Sequence, residues 1–425
     1  MRDVLMVTRN FAPTSHVSVE RAIELAKYLP EFGWRPTVLT GARATAGLPE
    51  DASLLAQVAG VEVIRALAPE FSIFYAARGN GRAAPAAQRR TPRRGSLHPK
   101  AWLVPDSQVL WYPFAVRAAM RRARTAGWDA VLATSFPPTA ILIGHAVASR
   151  LRIPYVADFR DSWTRYHHAP RRPAPLAELE RGLEARMIRS AAAVVAVDAH
   201  IVEHAFARIA PAERPPCHVI QNGYDEDDFR GVLPAELPSF SIVHTGQLRR
   251  SPRPLWEALS HTLREQPLLH GRLHFWQIGF VESCATSDLE APPPGVTVHQ
   301  VPPVPQREAV SYMLGADLLL VEEFEAIMPS KTLQYLRAAR PILALLDAGG
   351  VIRDVLRAAP RAYLVGRDEP GRAGALIAGL VSEARGGSSA PTDAVAAYSR
   401  REIARRFAAV LDDAYERPKG THRVR

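Results

Sequence analysis

The segment MPSKTLQYLRAARPILAL, Met328 to Leu345, puts a lysine where electrostatics disfavours one. Ser330 is an N-capping residue type, Leu333, Leu336 and Arg337 continue a helical spacing, and Pro341 stops it. Lys331 then falls in the first helical turn, against the positive end of the dipole, at a cost of about 0.3–1 kcal/mol. A phosphate docked between that lysine and the free N–H groups of the helix end would turn the cost into a gain. The alternative is a lysine whose stem covers apolar surface while its head reaches water.

A second cationic group stands in HTGQLRRSPRPLWEAL, His244 to Leu259. Thr245 and Gly246 come where an apolar run ends and the chain must turn tightly. Arg249, Arg250 and Arg253 follow, just ahead of a helix, in a pattern that suits a diphosphate. A solvated charged loop is the alternative. Two cationic groups at two strand ends of one sheet favour the anion.

Such groups need parallel strands to present them, and the chain supplies the pattern. Val4–Val7 reads as a strand, FAPTSHVS as a loop, and SVERAIELAKYLPEFG as a helix with Val19, Ala22, Ile23, Ala26 and Leu29 on one face and Gly33 at its end. Strands follow at Pro36–Thr40 and from Val61, then DAVLATS, PYVADF, AAVVAV and CHVIQNG, with helices at AVRAAMRRARTAG, ILIGHAVASRL and Leu176 to Ser190. RGVLPAELPS reads as a linker. A second series runs through FSIVHTG, RLHFWQIG, VTVHQV, ADLLLVE and PILALL, and a helix from Ala394 to Tyr415 closes it. Residues 78–100, basic and rich in Pro and Gly, read as a mobile loop. Strand–helix alternation of this kind predicts α/β layers with parallel sheets whose C-terminal ends carry the binding loops, and two such sheets facing each other would form a cleft.

Composition agrees. The chain has 425 residues, 47% hydrophobic and 23% charged, as expected for two globular domains. No apolar run approaches the ~18–20 residues of a membrane span, and the opening MRDVLMVTRNFAP reads as a strand and loop in place of a signal peptide. Cys217 and Cys284 give neither a disulfide framework nor a metal spacing, which points to a reducing, cytoplasmic setting. The net charge is +10, carried almost wholly by arginine, with lysine only at 27, 100, 331 and 419. Anionic small substrates or an anionic membrane face fit that charge; the absence of zinc-finger or RNA-recognition signatures argues against nucleic acid.

The ordered set of motifs resembles the GT-B glycosyltransferases, most closely the large retaining family four (group 1). FAP with RAIELAKYLPEFGWRPTVLT resembles that family's opening, VADFRDSW its D-x-R-D-x-W segment, and HVIQNGYDEDDF its N-G-x-D-x-x-x-F element. VHTGQL resembles the start of its donor domain, and MPSKTLQYLRAARPILA its P-x-K-x-x-E-Y-L-x-x-x-x-P-I-L-A motif. The resemblance implies an acceptor-binding Rossmann-like domain over 1–230, a linker at 231–239, a nucleotide-sugar domain over 240–393, and a helix at 394–417 that crosses back to the first domain.

The activity implied is retaining transfer of a sugar from a nucleoside-diphosphate sugar to an acceptor hydroxyl or amine, on a saccharide, a lipid-linked saccharide or a secondary metabolite. No cofactor or metal is expected, so arginine, lysine and helix N-termini would neutralise the departing diphosphate. A nucleotide-sugar epimerase or hydrolase on the same fold, or a degenerate nucleotide-binding protein, is the alternative. Peripheral contact with the inner membrane face is a further expectation.

Site residues follow by position. Asp161, with Asp158 second, would meet the acceptor hydroxyl as hydrogen-bond acceptor or base, and His16 would face the same place. A structural Asp–Arg pair through Arg160, and a capping or surface role for His16, are the alternatives. Gly246, Arg249, Arg253, Glu325, Ser330, Lys331 and Gln334 would bind the donor; Glu322 and Glu323 would be solvated. The chain departs from the family where PTSHVS replaces a glycine pair, where Gln247 stands for an arginine, and where Ala326 and Gln334 replace paired glutamates.

Overall fold

A computed structural model describes residues 1–45, 48, 50–69, 99–164, 172–322, 331–347, 351–357, 359–383 and 393–417. The basic segment expected to be mobile lies almost wholly outside these residues, as do Glu325 and Ser330. The chain divides into two compact units, Met1–Gln221 with Ile403–Arg425, and Asn222–Glu402.

The first unit carries seven parallel strands among the described residues: β1 (Arg2–Val7), β2 (Trp34–Gly41), β3 (Glu62–Ala66), β4 (Ala130–Ser135), β5 (Tyr155–Phe159), β6 (Ala193–Ala196) and β7 (Cys217–Val219). Their order is β3-β2-β1-β4-β5-β6-β7. Side chains alternate between two cores: Leu5 and Val7 of β1 enter one, Val4 and Met6 the other. Burial on both faces is why these strands read as continuous apolar runs. The helix Val17–Tyr28 tightens into a 3-10 turn, and Gly33 ends it at φ +85°, the left-handed conformation glycine adopts freely.

The second unit repeats the plan with β8 (Phe240–Thr245), β9 (Leu273–Ile278), β10 (Val296–Val301), β11 (Leu318–Glu322), β12 (Ile342–Leu346) and β13 (Ala362–Gly366) in the order β10-β9-β8-β11-β12-β13. The order reverses between β8 and β11, the switch point where open α/β sheets bind ligands at the strands' carboxyl ends. Strand β13 and the helix Pro370–Ser382 after it were not anticipated from sequence.

Two expected boundaries move. The division falls at Gln221/Asn222, ahead of the anticipated limit at 230, because the intended linker packs within the second unit. Tyr224, Phe229 and Leu237 are buried in its core, Ala235 N donates to Ser311 O at 2.9 Å, and Arg337 pairs with Glu226 at 2.8 Å. The closing helix is broken: a short turn, Asp393–Ala396, precedes a long helix, Arg400–Glu416. Residues between them bridge to Tyr224, whose N–H donates to Tyr398 O and whose carbonyl accepts from Arg400 N. From Ile403 onward the chain returns to the first unit, where Ile403, Ala404, Phe407, Ala408, Leu411 and Ala414 form a helical stripe in the core with Val4 and Trp34. Among the described residues no helix is long and apolar enough to cross a membrane.

Candidate functional site

The carboxyl end of β8 is built around two glycines. Gly246 turns the chain at φ +89°. Gly279, after β9, has φ +124°, and a Cβ there would lie 2.5 Å from the Gly246 carbonyl oxygen, so both positions require glycine. Gln277 holds the turn from below: it is fully buried, and its Nε2 donates to Gly246 O at 2.8 Å and Phe280 O at 3.3 Å.

The helix Lys331–Ala338 abuts this turn. Tyr335 is fully buried and its hydroxyl oxygen accepts from Thr245 N at 2.8 Å, which fixes the helix against the end of β8. One turn earlier on the same face, the Lys331 amino group meets Nε2 of His244. Burial of that amino group pushes its pKa down to about 7; Glu322 opposes the shift and Arg249 adds to it. Lys331 thus occupies the predicted first-turn position, half-buried, with its amino group turned onto His244 at the switch point.

Glu322, at the end of β11, is 6% exposed and corrects the expectation of a solvated carboxylate. Burial raises its pKa to about 7, against the pull of Arg367, Lys331 and Arg250. Arg367, just beyond β13, donates to Glu322 Oε1 at 3.3 Å and to Ser251 O at 3.2 Å. Arg249 lies on the same turn, with Nε 3.3 Å from Gln247 Oε1. Arg250 pairs with Asp347 at 2.6 Å. Arg253 points elsewhere, to Asp288 at 3.2 Å, with its side chain 71% exposed. Arg253 thus contacts Asp288, and the arginine that pairs with Glu322 is Arg367. Gln334 is half-buried on the next turn after Lys331.

Sequence reasoning missed His244, Gln277, Tyr335 and Arg367. A signal existed for the first: a histidine inside a strand otherwise buried on both faces is a polar group that must find partners.

In the first unit Asp158 is not an open carboxylate. It is 0% exposed within β5 and is gripped by Arg21, Nε to Oδ2 at 3.1 Å and Nη2 to Oδ1 at 3.0 Å. Arg21 also donates to the carbonyls of Ile220 and Gln221, at 2.9 and 3.0 Å. The structural alternative of an Asp–Arg pair is present here as a buried pair with Arg21. Asp161 is half-buried on the loop that follows. Arg160 between them feels both carboxylates, although burial lowers its pKa overall. His16 is exposed ahead of its helix; partial desolvation of its ring, then the Arg160 charge, lower its pKa from the ordinary value. Asp161, Arg160 and His16 thus form one electrostatic group.

The loop that carries Asp161 is anchored by buried polar contacts. Trp163 Nε1 donates to Glu180 Oε1 at 3.3 Å, Arg172 Nε to Glu180 Oε2 at 2.6 Å, and Thr164 Oγ1 to Glu184 Oε2 at 2.7 Å. Burial pushes the Glu184 pKa up to about 7. A raised carboxyl pKa gives stability that is complete below the unfolded value near 4.5 and lost as pH rises through about 7. Glu184→Gln keeps an acceptor for Thr164 and removes that loss. Urea unfolding should show the variant more stable than the parent at about pH 8, by up to about 3 kcal/mol, and near parity at about pH 4.5. Equal slopes with pH would exclude a buried, titrating Glu184.

Residues 19–228 match Glycosyltransferase Family 4. No curated protein matches the chain. Among solved structures the chain is similar to the N-terminal domain of Candida albicans trehalose-6-phosphate phosphatase, at 12% identity and TM-score 0.64 with 97% of each chain covered. It is similar to sucrose-phosphate synthase from Thermosynechococcus elongatus, at 14% identity and TM-score 0.58, covering 97% of this chain and 98% of that one. Trehalose-6-phosphate from E. coli bound with UDP-2-fluoro glucose aligns at 10% identity and TM-score 0.58, covering 98% and 99%. At these identities the likeness is one of fold. Two doubly wound parallel sheets of matching strand order, with these likenesses, identify a GT-B fold chain whose residues 19–228 match Glycosyltransferase Family 4.

Proposed function

We propose that the protein is a retaining glycosyltransferase that moves a sugar from a nucleoside-diphosphate sugar to an acceptor hydroxyl or amine. The observation that carries this reading is the Lys331 amino group at the β8/β11 switch point, with Arg249 acting on it and Arg367 held by Glu322, which acts on both. A buried cation group costs stability unless an anion joins it, and a diphosphate between Lys331, the helix end and the Gly246 turn supplies that anion. As the glycosidic bond breaks, the leaving diphosphate gains charge, and these fixed cations stabilise it without reorganising. No metal is called on for that step. The sugar bond forms on the face the diphosphate leaves, so no protein nucleophile takes part.

In the first unit Asp161 is the acceptor-side group, accepting a hydrogen bond from the attacking hydroxyl, with His16 as a second acceptor and Arg160 holding the carboxylate. That a protein of the same fold is described with UDP-2-fluoro glucose bound supports a nucleotide-sugar donor here. The protein works at the cytoplasmic side, with a soluble or lipid-linked acceptor.

Thermal unfolding against UDP, GDP, dTDP, ADP and CMP, each with and without magnesium, tests the donor site. One nucleotide should raise the midpoint with or without the metal, since a ligand at ~100 times its Kd adds about 2.7 kcal/mol. The matching nucleotide sugar should then survive incubation until an acceptor is added, and the product should keep the donor's anomeric configuration by NMR. Donor turnover without acceptor would replace transfer by epimerisation or hydrolysis, and no stabilisation by any nucleotide would overturn the donor site.

A further inference from the structure

His244 is a buried ionisable residue that sugar transfer does not itself require. It is 1% exposed, and its Nδ1 lies 2.6 Å from Gln277 Oε1. The Gln277 amide nitrogen already donates to the carbonyls of Gly246 and Phe280, so its oxygen is the atom that faces the imidazole. An oxygen acceptor there requires the proton on Nδ1. Nε2 is then left with a lone pair, and it is Nε2 that meets Lys331 Nζ. The hydrogen bonds run in one direction, from Lys331 to His244 to Gln277 to the carbonyl of the Gly246 turn.

The charges around this chain come from several elements. Glu322 from β11 and Arg249 from the turn after β8 act on Lys331. Glu322 is held by Arg367 from beyond β13, and it feels Arg250, which pairs with Asp347 after β12. Burial and the Lys331 charge keep His244 neutral, its pKa well below the ordinary value.

We propose that His244 is a positioning residue for Lys331: fixed by Gln277 as a neutral acceptor, it holds the amino group at the β8 turn and makes diphosphate binding there proton-linked. The second half rests on the reading that a diphosphate docks at this turn. Free, Lys331 has Arg249 acting against its charge, and among the described residues the Glu322 carboxylate and the His244 acceptor oppose loss of its proton. A diphosphate adds negative charge and draws a proton onto the amine. Binding above about pH 7 therefore takes up a proton, and affinity falls by up to tenfold per pH unit until the bound amine itself titrates.

The chain's four lysines make the test direct. Protein labelled at the lysine Cε and Nζ is titrated by NMR between about pH 5 and 10, with Lys331→Arg assigning the signal. In the parent, Lys331 titrates far below the other lysines. In His244→Leu its midpoint moves lower by about one unit, a tenfold change, while His244→Gln, which places an amide acceptor near Nε2, restores it. Glu322→Gln separates the carboxylate's own titration from this effect. Saturating UDP or GDP, whichever binds, moves the midpoint upward, with matching proton uptake by calorimetry in two buffers.

An unmoved midpoint in His244→Leu overturns the inference whatever the nucleotides do. A midpoint that follows His244 but does not move with a nucleotide that thermally stabilises the protein overturns the diphosphate linkage and leaves the donor reading standing, whereas no stabilisation by any of the five nucleotides overturns the donor reading itself. Should His244→Leu fail to fold, the imidazole ¹⁵N spectrum of the parent decides: the Nδ1–H tautomer supports the relay, and the Nε2–H tautomer sinks it.

Discussion

Lys331→Ala is expected to lose the nucleotide-induced rise in unfolding midpoint and to lower kcat/KM for transfer by about 10²–10³-fold. That is the scale of removing one preorganised group that stabilises developing negative charge, about 2.7–4 kcal/mol. The unliganded protein should be as stable as the parent, or more so. Enclosure of the amino group depresses its pKa to about 7, so the folded state binds fewer protons than the unfolded chain between that value and the ordinary one near 10.5. Stability consequently rises with pH across that window, and below it the full cost of an enclosed ammonium is present. Alanine removes the cost together with the ligand contact. A structural lysine would behave the opposite way, with lower apo stability and an intact nucleotide shift. Equilibrium unfolding and nucleotide titration on the same preparation therefore distinguish a binding lysine from a packing one.

Much of this arrangement was legible in the residues, and the limits have physical causes. Strands buried on both faces appear as apolar runs, and both sheets consist mainly of such runs, so twelve strand positions from Val4–Val7 to PILALL could be placed. Strand β13 escaped because Ala362–Gly366 is a short edge strand in which only Val365 is buried. Missing it concealed Arg367, which the strand delivers to Glu322. Lys331 and Gly246 were found because a first-turn lysine and a strand-end glycine are local anomalies. The partners of Lys331 were not, since His244 and Gln277 stand 87 and 54 positions away and are joined only by sheet order. Glu322 looked solvated because it opens a run of acidic residues, yet its place at the end of a central strand buries it. The linker was misplaced for a related reason: Pro and Gly suggested an exposed path, while Leu237 and Phe229 anchor it in a core. Local chemistry thus marks where a ligand could sit, and long-range pairing decides which neighbours tune it.

Arg21→Met should be the most destabilising single change in the first unit, by about 3–5 kcal/mol, because it leaves Asp158 buried without its counter-charge. Arg21 is 2% exposed and Asp158 0% exposed, so water cannot replace the guanidinium. The same group satisfies two carbonyls after β7 and lies over Phe407 at 4.8 Å, so it joins a helix, a central strand, an edge strand and the returning C-terminal helix. Asp158→Asn should cost less, since an amide oxygen still accepts one of the two hydrogen bonds. The double change Arg21→Met with Asp158→Leu should recover most of the loss, as buried ion pairs often tolerate apolar replacement. Denaturant unfolding would show this as a shift confined to the first unit's transition if the two units melt separately, leaving nucleotide binding at Lys331 in place. Activity completes the test. If Asp158 acts only through the pair, the double variant should retain transfer at a temperature where it is folded, whereas Asp161→Asn should impair transfer with little change in stability. Loss of transfer in a folded double variant would return Asp158 to the acceptor site and require the Arg21 pair to open during turnover.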